Sequence, residues 1–537
     1  MGIITNKSKI EEAEKAIFKL IDAFKNNNDL NVLKRKLAKE FGFSFFSNVE
    51  LLKAYHNFCV NKRFKPDLRI INFLKKRRIR SLSGVAVISV LTKPYSCPAR
   101  CIFCPTEKGM PKSYLSNEPV VMRGILNSFN PYKQVKNRLE SLNLTGHPTD
   151  KIQLIILGGT WSFLPLDYQK WFIKKCFDAC NDKISKNLSL AQKINEKAKH
   201  RIIGITVETR PDFVNKEEII NLRKLGITAV EIGVQSIYDD VLKLNVRGHD
   251  INSVIQATKL LKDAGFKVCY HLMLNLFGSS INLDKKMFKE IFRNSDFQPD
   301  FLKIYPCAIV REAEIYRFWQ EGKYIPYTEE ELKNLIKEIK KEIPYYCRIQ
   351  RLIRDIPSPS IVTGPAKISN LRQIVEEEIK KEGWRCKCIR CREVKDNYNP
   401  KERIYLFRED YNASGGKEVF LSYENKDRNK LYCLLRLRIP SNIFENKKHF
   451  INVLKDSAII REVHTYGKVH PLNEEKFISS PQHRGLGKKL IKKAEEIARK
   501  EFGIKKMAVI SGVGVRDYYR KLGYILKDNY MVKNLTN

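Results

Sequence analysis

The sequence predicts an α/β protein: an incomplete barrel of parallel strands followed by a separate α+β domain, with a basic helical region in front. Three observations support this fold class. Between residues 83 and 365, β-branched apolar runs alternate with amphipathic segments, which is typical of a parallel sheet covered by helices. After residue 398, the chain carries closely spaced strand patterns and one strong helix. Before residue 81, apolar residues recur at helical spacing.

Six apolar runs are predicted to be strands of the barrel. They are Val85–Leu91, Ile152–Leu157, Ile202–Thr206, Ala229–Val234, Val268–Leu272 and Phe301–Ile304. Functional side chains of such barrels lie at the carboxyl ends of the strands. Gly158 and Gly159 follow the second run, Glu208 follows the third and Gln235 follows the fourth, so these residues are expected at one mouth.

A chain of 537 residues is too long for one ordinary core, so several domains are expected. We predict a basic helical region over 1–80, a barrel domain over 81–375, a metal-binding linker over 376–398 and an α+β domain over 399–537. The first region has helical patterns at Ile10–Phe24 and Val32–Phe41. In the last domain, a hairpin turn at Ala413–Gly416 precedes a helix over Gly487–Lys500 and a strand over Met507–Ile510.

The charge of the chain points to a polyanionic partner. Net charge is +39, from 99 Lys and Arg against 60 Asp and Glu, and such a field favours nucleic acid. The run Lys75, Lys76, Arg77 and Arg78 is predicted to contact phosphates; a solvated helix end and a generally basic proteome are the alternatives. We see neither a secretory signal nor an apolar run that could span a bilayer, so a cytoplasmic protein without membrane contact is expected.

Thirteen cysteines are grouped in short motifs, which is typical of metal binding in a reducing compartment. Cys97, Cys101 and Cys104 have the spacing C-x3-C-x2-C. Three thiolates so close can ligate three irons of a 4Fe–4S cluster and leave the fourth iron for S-adenosylmethionine (SAM). The spacing resembles the signature of radical-SAM proteins. A zinc loop and three unrelated thiols are the alternatives.

The residues expected at the barrel mouth fit a bound cofactor. Glycines such as Gly158 and Gly159 let the backbone approach a ligand closely, as does a plain tight turn; in radical-SAM proteins the matching segment lies along the amino group of SAM. Glu208 suits a ribose hydroxyl or the methionyl ammonium, unless it is a surface carboxylate. Gln235 caps an apolar strand at the same mouth. Lys303 either faces solvent or serves an anionic ligand, with a catalytic role in the second case.

A second loop suggests coenzyme A. The residues Gln482, His483, Arg484, Gly485, Leu486 and Gly487 fit Q/R-x-x-G-x-G, the pyrophosphate loop of the GNAT acetyltransferases. Successive backbone N–H groups and a helix N-terminus suit a diphosphate; an unrelated glycine turn is the alternative. Tyr518 and Tyr519 follow in the order expected of such a domain and are predicted to be catalytic, with Tyr519 also contacting acetyl-CoA.

A third motif, Cys386, Cys388 and Cys391, is predicted to hold zinc between the two domains. Zinc in a structural site takes four N or S ligands. The candidates for the fourth ligand are Cys347, Cys433, His464 and His470. A second iron–sulfur cluster is the rival interpretation.

Together these segments resemble the catalytic subunit of Elongator, in its single-chain archaeal form. The resemblance runs from about Ser83 to Met531. It is carried by Ser83–Val87, Met122-Arg123, Asn130–Tyr132, Gly158–Thr160, Gly204–Asp212, Glu231–Ser236, Asn245–His249, Leu302–Pro306, Arg354–Pro357, Arg461–Gly467, Gln482–Gly487 and Ser511–Gly514. Two segments depart from the family: Pro105-Thr-Glu-Lys108 replaces Pro-Gly-Gly, and His271–Phe277 reads HLMLNLF in place of HMMPDLP.

The resemblance implies a tRNA-modifying enzyme. SAM cleaved at the cluster would give a radical that takes hydrogen from the methyl group of acetyl-CoA, and the acetyl radical would add to C5 of the wobble uridine. Oxidation and thioester hydrolysis would then leave a 5-carboxymethyl group. An anticodon loop suits this chemistry because its bases can be unstacked. A protein lysine acetyltransferase with a structural cluster is the alternative, with Glu462 as its general base; a scaffold with decayed sites is a third. A homodimer stays open, and accessory subunits cannot be inferred.

Overall fold

The computed structural model describes residues 48–61, 67, 70, 83–395, 397–467 and 485–535. Several predicted features lie outside these residues: both N-terminal helices, the basic run Lys75, Lys76, Arg77 and Arg78, the loop residues Gln482, His483 and Arg484, and the candidate ligand His470. One helix, α1 (Asn48–Asn61), is described before the barrel.

The barrel is one sheet of seven parallel strands in chain order. Its strands are β1 (Ala86–Leu91), β2 (Lys151–Leu157), β3 (Arg201–Thr209), β4 (Ala229–Gln235), β5 (Lys267–Leu274), β6 (Phe301–Pro306) and β7 (Arg348–Arg351). The helices are α2 (Pro119–Leu126), α3 (Pro131–Leu144), α4 (Leu166–Asn181), α5 (Leu188–Asn195), α6 (Lys216–Leu225), α7 (Asp239–Leu244), α8 (Ile251–Asp263), α9 (Ile281–Arg293), α10 (Ile315–Gln320), α11 (Glu329–Glu342) and α12 (Leu371–Lys381).

All six predicted strands are present, and the prediction of an incomplete parallel barrel is confirmed. Each strand alternates between a face buried under the helices and a face that lines the barrel interior. In β2, for example, Ile152, Leu154 and Ile156 are buried in the core, while Gln153 and Ile155 face the interior. The seventh strand was not predicted because its sequence, Arg-Ile-Gln-Arg, is polar at three of four positions.

A short helix, α13 (Ile389–Arg392), leads into a second seven-stranded sheet, ordered β13-β14-β12-β11-β10-β9-β8. Its strands are β8 (Tyr405–Ala413), β9 (Gly416–Glu424), β10 (Leu431–Ile439), β11 (Ala458–Thr465), β12 (Lys506–Val509), β13 (Ile525–Lys527) and β14 (Tyr530–Asn534), with helices α14 (Ser441–Phe444), α15 (Leu486–Phe502) and α16 (Arg516–Arg520). Only β11 and β12 pair in parallel, over Ala458–Ile460, and the rest of β11 diverges from its neighbour.

The second sheet closes the floor of the barrel, where the strands begin. The ring of His464 bonds the carbonyl of Ser83, ahead of β1, at 2.8 Å. A Cβ atom on Gly512 would lie 1.9 Å from the carbonyl oxygen of Ile203, at the start of β3. The mouth at the other end of the barrel stays on the far side from this sheet.

A buried ion network joins the two domains at this floor. Asp300, just before β6, pairs with Arg461 of β11, whose Nη1 donates to Asp300 Oδ1 at 2.9 Å. Arg438 of β10 donates to Asp263 at the end of α8, with Nε 2.9 Å from Oδ1. Lys262 is fully buried between Asp300 and Glu418, at 3.5 and 3.7 Å. Such a network cannot be separated without leaving buried charges unpaired.

Within the described part of the chain, we find no helix of the length and apolarity that crossing a membrane requires.

Candidate active site

The first cysteine motif forms a loop over the barrel mouth, directly after β1. Cys101 is buried, while Cys97 and Cys104 are partly buried in an apolar shell that includes Ile102 and Phe103. Among the described residues, three potential ligand atoms lie within 4.8 Å of one another at two other places, not here. The C-x3-C-x2-C spacing of these three thiols on one loop fits an iron–sulfur cluster.

Arg247 supports this loop from below. Its Nη1 lies 3.4 Å from the sulfur of Cys101, and its Nη2 donates to the carbonyl of Gly233 at 2.7 Å. A guanidinium here would stabilise a thiolate through a charge-assisted hydrogen bond. The loop therefore offers three thiols, an apolar cover and a cation, which together fit a bound 4Fe–4S cluster.

The two glycines after β2 lie against the same loop. Both have positive φ angles, +131° at Gly158 and +96° at Gly159. A Cβ atom on Gly158 would lie 1.9 Å from Thr92 Oγ1, so no larger residue fits at this position. The next residue, Thr160, places its hydroxyl 4.0 Å from the sulfur of Cys97. The glycines are thus beside the cysteine loop, which fits the predicted contact with SAM.

A cavity of about 350 Å³ fills the interior of the barrel. Phe103 and Tyr114 line it at the mouth, and Glu462, His464 and Tyr466 of the second domain line it at the floor. The cavity therefore has walls from both domains and runs along the whole barrel.

A chain of charged side chains crosses the middle of this cavity. His271 bonds two carboxylates, with Nδ1 3.2 Å from Glu208 Oε1 and Nε2 2.9 Å from Glu231 Oε2. Lys303 donates to the same oxygen of Glu231. Tyr114 donates to Glu208 Oε2 at 3.2 Å. Two acids and two bases are thus paired inside the barrel.

The pairing sets the ionisation of each group. Burial alone would raise the pKa of Glu231, but Lys303 and His271 lower it to about 2. Burial and Lys303 oppose the charge on His271, yet Glu208 and Glu231 raise its pKa. Burial likewise disfavours ionised Glu208, and His271 lowers its pKa. The pairing therefore favours the ionised form of both carboxylates and of His271.

The ion pair that Lys303 makes inside the barrel was not predicted from the sequence. It is buried and paired with Glu231, rather than facing solvent or a free anion site. Glu231, Cys269 and His271 place ligand atoms within 4.8 Å of one another, as a metal site would. However, the ammonium of Lys303 already supplies the cation there, so we assign no metal to this group.

Gln235 ends β4 in a strained conformation, with a φ angle of +68°. Such backbone is uncommon for a residue other than glycine and costs free energy. Gln235 lines the cavity, so the strain holds its amide at the mouth, where it was predicted to be.

The glycine loop of the second domain begins α15. Gly485, the N-cap of this helix, has a φ angle of +69°, and a Cβ atom built on it would meet no described residue within 4 Å. A Cβ atom on Gly487 would lie 3.3 Å from the hydroxyl of Tyr518. Leu486 is buried beneath the turn. A glycine turn at a helix N-terminus fits a bound diphosphate.

The two predicted tyrosines differ in position. Tyr518 is half-buried beside Gly487, and burial raises its pKa to about 12, so its hydroxyl stays protonated and can donate a proton. Tyr519 is buried and its ring contacts Tyr518 and Tyr524 edge-on. Tyr518 thus faces the glycine turn, whereas Tyr519 packs in an aromatic cluster.

Glu462 lines the floor of the barrel cavity and is bound to Arg436, with Nε 2.8 Å from Oε2. Burial opposes its charge, but Arg436 and Lys267 lower its pKa. A carboxylate held in this way is a weak general base.

The second cysteine motif forms a compact group at the domain junction. The sulfurs of Cys386, Cys388 and Cys391 lie within 4.8 Å of one another, close enough for one ion. Of the described candidates for a fourth ligand, Cys433 bonds Thr465 at 3.1 Å and His464 bonds Ser83. Cys347 accepts a backbone hydrogen bond from Ile389, but its sulfur is outside the 4.8 Å group.

Sequence reasoning assigned no role to Arg247, Glu231 or His271. Glu231 and Arg247 lie in segments that resemble the family, whereas His271 begins one that departs from it. Glu231 and His271 are polar residues inside otherwise apolar strands. That contrast was the available signal, since a buried strand keeps a charged residue only when it is paired.

Comparisons with known proteins agree with this geometry. Residues 92–289 match the Radical SAM superfamily, residues 299–381 match the radical SAM C-terminal domain, and residues 476–524 match the Acetyltransferase (GNAT) family. The barrel with its cysteine loop and the second sheet with its glycine turn therefore define a radical-SAM protein with an acetyltransferase domain.

Individual relatives narrow this class. The tRNA uridine(34) acetyltransferase of Methanocaldococcus infernus is 48% identical over 478 residues, which are 87% of this chain and 88% of that protein. Elongator complex protein 3 of Homo sapiens is 39% identical over 543 residues, 97% of this chain and 96% of that protein. The structure of the archaeal Methanocaldococcus infernus Elp3 with an N-terminal deletion (1–46) superimposes with a TM-score of 0.74 at 46% identity, covering 84% of this chain and 100% of that one. The chain belongs to the Elongator complex protein 3 family.

Proposed function

We propose that this protein modifies the wobble uridine of tRNA, using SAM and acetyl-CoA to place a carboxymethyl group on C5. One observation carries the proposal: a single cavity has walls from the cysteine loop, the barrel interior and the acetyltransferase sheet. A reaction that joins a radical source to an acetyl donor needs such a shared space. The names of the relatives, which specify tRNA uridine(34), supply the substrate.

The proposed SAM site and the proposed acetyl-CoA site lie at two ends of the molecule. Cys97, Cys101 and Cys104 would hold a 4Fe–4S cluster, which supplies the electron that cleaves bound SAM to a radical. Gly158 and Gly159 would admit SAM close to the backbone. Glu208, held by His271 and Tyr114, would accept hydrogen bonds from the cofactor with its remaining lone pairs.

The acetyl donor would bind at the other end. Gly485, Leu486 and Gly487 would hold the diphosphate of coenzyme A at the start of α15. Tyr518, protonated and next to this turn, would donate a hydrogen bond to the sulfur that leaves. Glu462 and Lys303 would act by fixing charge along the cavity rather than by exchanging protons.

A protein lysine acetyltransferase is less well supported. That reaction requires a general base near the lysine amine. Glu462, the candidate, is paired with Arg436 and faces the barrel cavity. A lysine side chain from another protein would have to reach it through the interior of the barrel.

The decisive experiment is reconstitution under anaerobic conditions with SAM, a chemical reductant, tRNA and acetyl-CoA carrying deuterium on its methyl group. We expect carboxymethylated uridine in the digested tRNA and deuterium in the 5′-deoxyadenosine, both measured by mass spectrometry. Cys101→Ala should lose both products and its iron. Acetylated lysine on histone peptides, with unmodified tRNA, would favour the alternative.

We also propose zinc at Cys386, Cys388 and Cys391. The short distances among the three sulfurs support a single ion over a second cluster. Glu376, whose Oε1 lies 4.0 Å from the sulfur of Cys391, would complete the ligand set. Metal analysis of the purified protein distinguishes the two, since a second cluster would add iron and leave zinc absent.

A further inference from the structure

The barrel is open on one side. Its sheet starts at β1 and ends at β7, and these two strands do not pair. Val87 of β1 lines the cavity, yet 36% of its surface is exposed. Among the residues that the structure describes, this gap between β1 and β7 is a lateral entrance to the cavity.

Three arginines lie at this entrance. Arg348 of β7 and Arg390 of α13 line the cavity. Arg390 Nη1 donates to the carbonyl of Gln350 at 3.4 Å, and Arg372 Nη2 donates to the carbonyl of Ile349 at 3.3 Å. All three guanidinium groups are therefore gathered around the last strand of the barrel.

The acids nearby do not balance these cations. Arg348 pairs with Glu393, and Arg372 pairs with Glu376 at 3.5 Å. Arg390 has no ion-pair partner among the residues that the structure describes. An unpaired, half-buried arginine between two others is a site that favours an anion.

The cysteine motif fixes Arg390 in this position. Arg390 lies between Cys388 and Cys391, and the next basic residue, Arg392, anchors the loop to both domains. Arg392 donates to the carbonyl of Tyr345 and to Glu424, each at 2.5 Å. An arginine on so constrained a loop keeps its orientation, which lowers the entropy lost on binding a ligand.

We propose that Arg390, with Arg348 and Arg372 adding charge, binds a phosphate of the RNA backbone where the strand enters the barrel between β1 and β7. A guanidinium matches a phosphate bidentately, and the adjacent cavity would receive the base next to that phosphate. This inference rests on the proposed function, because it takes an RNA as the substrate. It also gives the second cysteine motif a role, since the loop of Cys386, Cys388 and Cys391 would hold a phosphate-binding arginine.

The test compares Arg390→Gln with Arg385→Gln. Arg385 is a basic residue of the same loop that is not among the described residues lining the cavity. Arg390→Gln should bind an anticodon stem–loop about tenfold more weakly or worse, since charged hydrogen bonds are lost. The slope of log K against log salt should fall by ~0.7 for a single-stranded contact. Arg385→Gln should keep both values near wild type. Equal losses in the two variants would overturn the proposal.

Neutral methylphosphonate linkages, placed one at a time in the stem–loop, identify the phosphate. Wild type should lose affinity at one linkage beside the wobble uridine, and Arg390→Gln should be insensitive to that same linkage. Additive losses at every linkage would overturn the proposal, because non-interacting changes add.

Two measurements keep the result interpretable. Zinc content and melting temperature of Arg390→Gln should equal those of wild type, and Arg390→Lys should restore part of the salt slope. If Arg390→Gln weakens acetyl-CoA instead of RNA, the phosphate belongs to coenzyme A and the RNA assignment is wrong. If wild type modifies no tRNA yet shows the Arg390-dependent linkage effect, the proposed function fails while this site stands.

Discussion

At the scale of single residues, the barrel interior holds a buried group of two carboxylates, an imidazole and an ammonium. Glu208 and Glu231 are matched by His271 and Lys303, and each pair is formed inside the protein. Removing one partner from such a pair is far more costly than the net worth of the pair, because the other charge is left buried. The group therefore constrains substitutions in the cavity strongly.

The first prediction concerns acid stability. The folded-state pKa of Glu231 is about 2, below the value of about 4.3 in an unfolded chain. This carboxylate therefore stabilises the fold above about pH 4.3 and loses that contribution as the pH falls toward 2. Glu231→Gln should lower the free energy of unfolding at pH 7 by about 3–5 kcal/mol, and the difference should narrow below pH 4.3. Urea unfolding at several pH values measures it.

A matched control lies on the next strand. Tyr270→Phe removes the buried hydrogen bond between Tyr270 and Thr258, on the helix-facing side of β5. Its cost should be about 1 kcal/mol and should not change between pH 7 and pH 3. A constant difference for Glu231→Gln over the same range would contradict the assignment of a charged Glu231.

The second prediction concerns the glycine turn before α15. Gly485→Glu places a carboxylate and a strained φ angle where the diphosphate is expected. Acetyl-CoA affinity, measured by calorimetry, should fall at least about 100-fold, which corresponds to ~2.7 kcal/mol. Gly503→Glu, at the other end of α15 with the same positive φ, is the control for strain and should bind normally. Equal affinities for all three proteins would place the coenzyme elsewhere.

At the scale of elements, the close approach of two backbone segments explains why one position is glycine. Gly512 has an ordinary φ angle of −67°, so its backbone would accept any residue. Its missing side chain matters because the turn after β12 meets the start of β3 there, at the carbonyl of Ile203. Gly512→Ala should therefore destabilise the protein by about 3 kcal/mol through overpacking. Gly383→Ala, with a φ angle of +79° and open space, should cost only about 1 kcal/mol. Thermal unfolding distinguishes the two, and a reversed order would refute the close contact.

The metal loop is the second element with a testable role. If zinc joins Cys386, Cys388 and Cys391, its removal should release the loop that Arg392 anchors between the domains. A strong chelator should lower the melting temperature while SAM cleavage without tRNA continues. Chelation that stopped SAM cleavage at unchanged stability would argue instead for a second redox cluster.

Sequence reasoning succeeded where a signal is local. Apolar runs gave six barrel strands, and close spacing gave both cysteine motifs and the glycine turn. It missed β7, because Arg348 and Gln350 face the polar cavity and break the apolar pattern. It could not place Lys303 against Glu231, since 72 residues separate them and only the order of strands brings them together. Contacts between strands depend on how the strands are arranged in the fold, so they cannot be predicted from the residue pattern within one strand.

At the scale of the whole molecule, the two domains share one floor. Asp300 belongs to the barrel, and its burial opposes the charged form of its carboxylate. Arg461, which belongs to the other domain, offsets this effect and lowers the pKa of Asp300. The final prediction follows from this pairing. Asp300→Asn should cost about 3–5 kcal/mol, because Arg461 and Lys262 lose a buried partner. If the two domains unfold as one cooperative unit, the backbone amides of β3 and of β9 should then lose the same amount of protection against hydrogen exchange.

An exposed pair across the same junction serves as the control. Lys259 of α8 pairs with Glu445 just after α14, and both are partly exposed to solvent. Lys259→Ala should cost less than about 1 kcal/mol. If Asp300→Asn loosened β3 but left β9 unchanged, the two domains would be independent units.

The closing of the barrel floor by the second domain also has a consequence for synthesis of the chain. Asp300 leaves the ribosome 161 residues before Arg461. At ~5–20 residues per second, the barrel waits about 8–32 s for its partner sheet. Throughout that interval the nascent barrel exposes an unpaired cluster of charges beside apolar strand ends. Newly made barrels are therefore a natural client for ribosome-associated chaperones, and release from them should await the last strands.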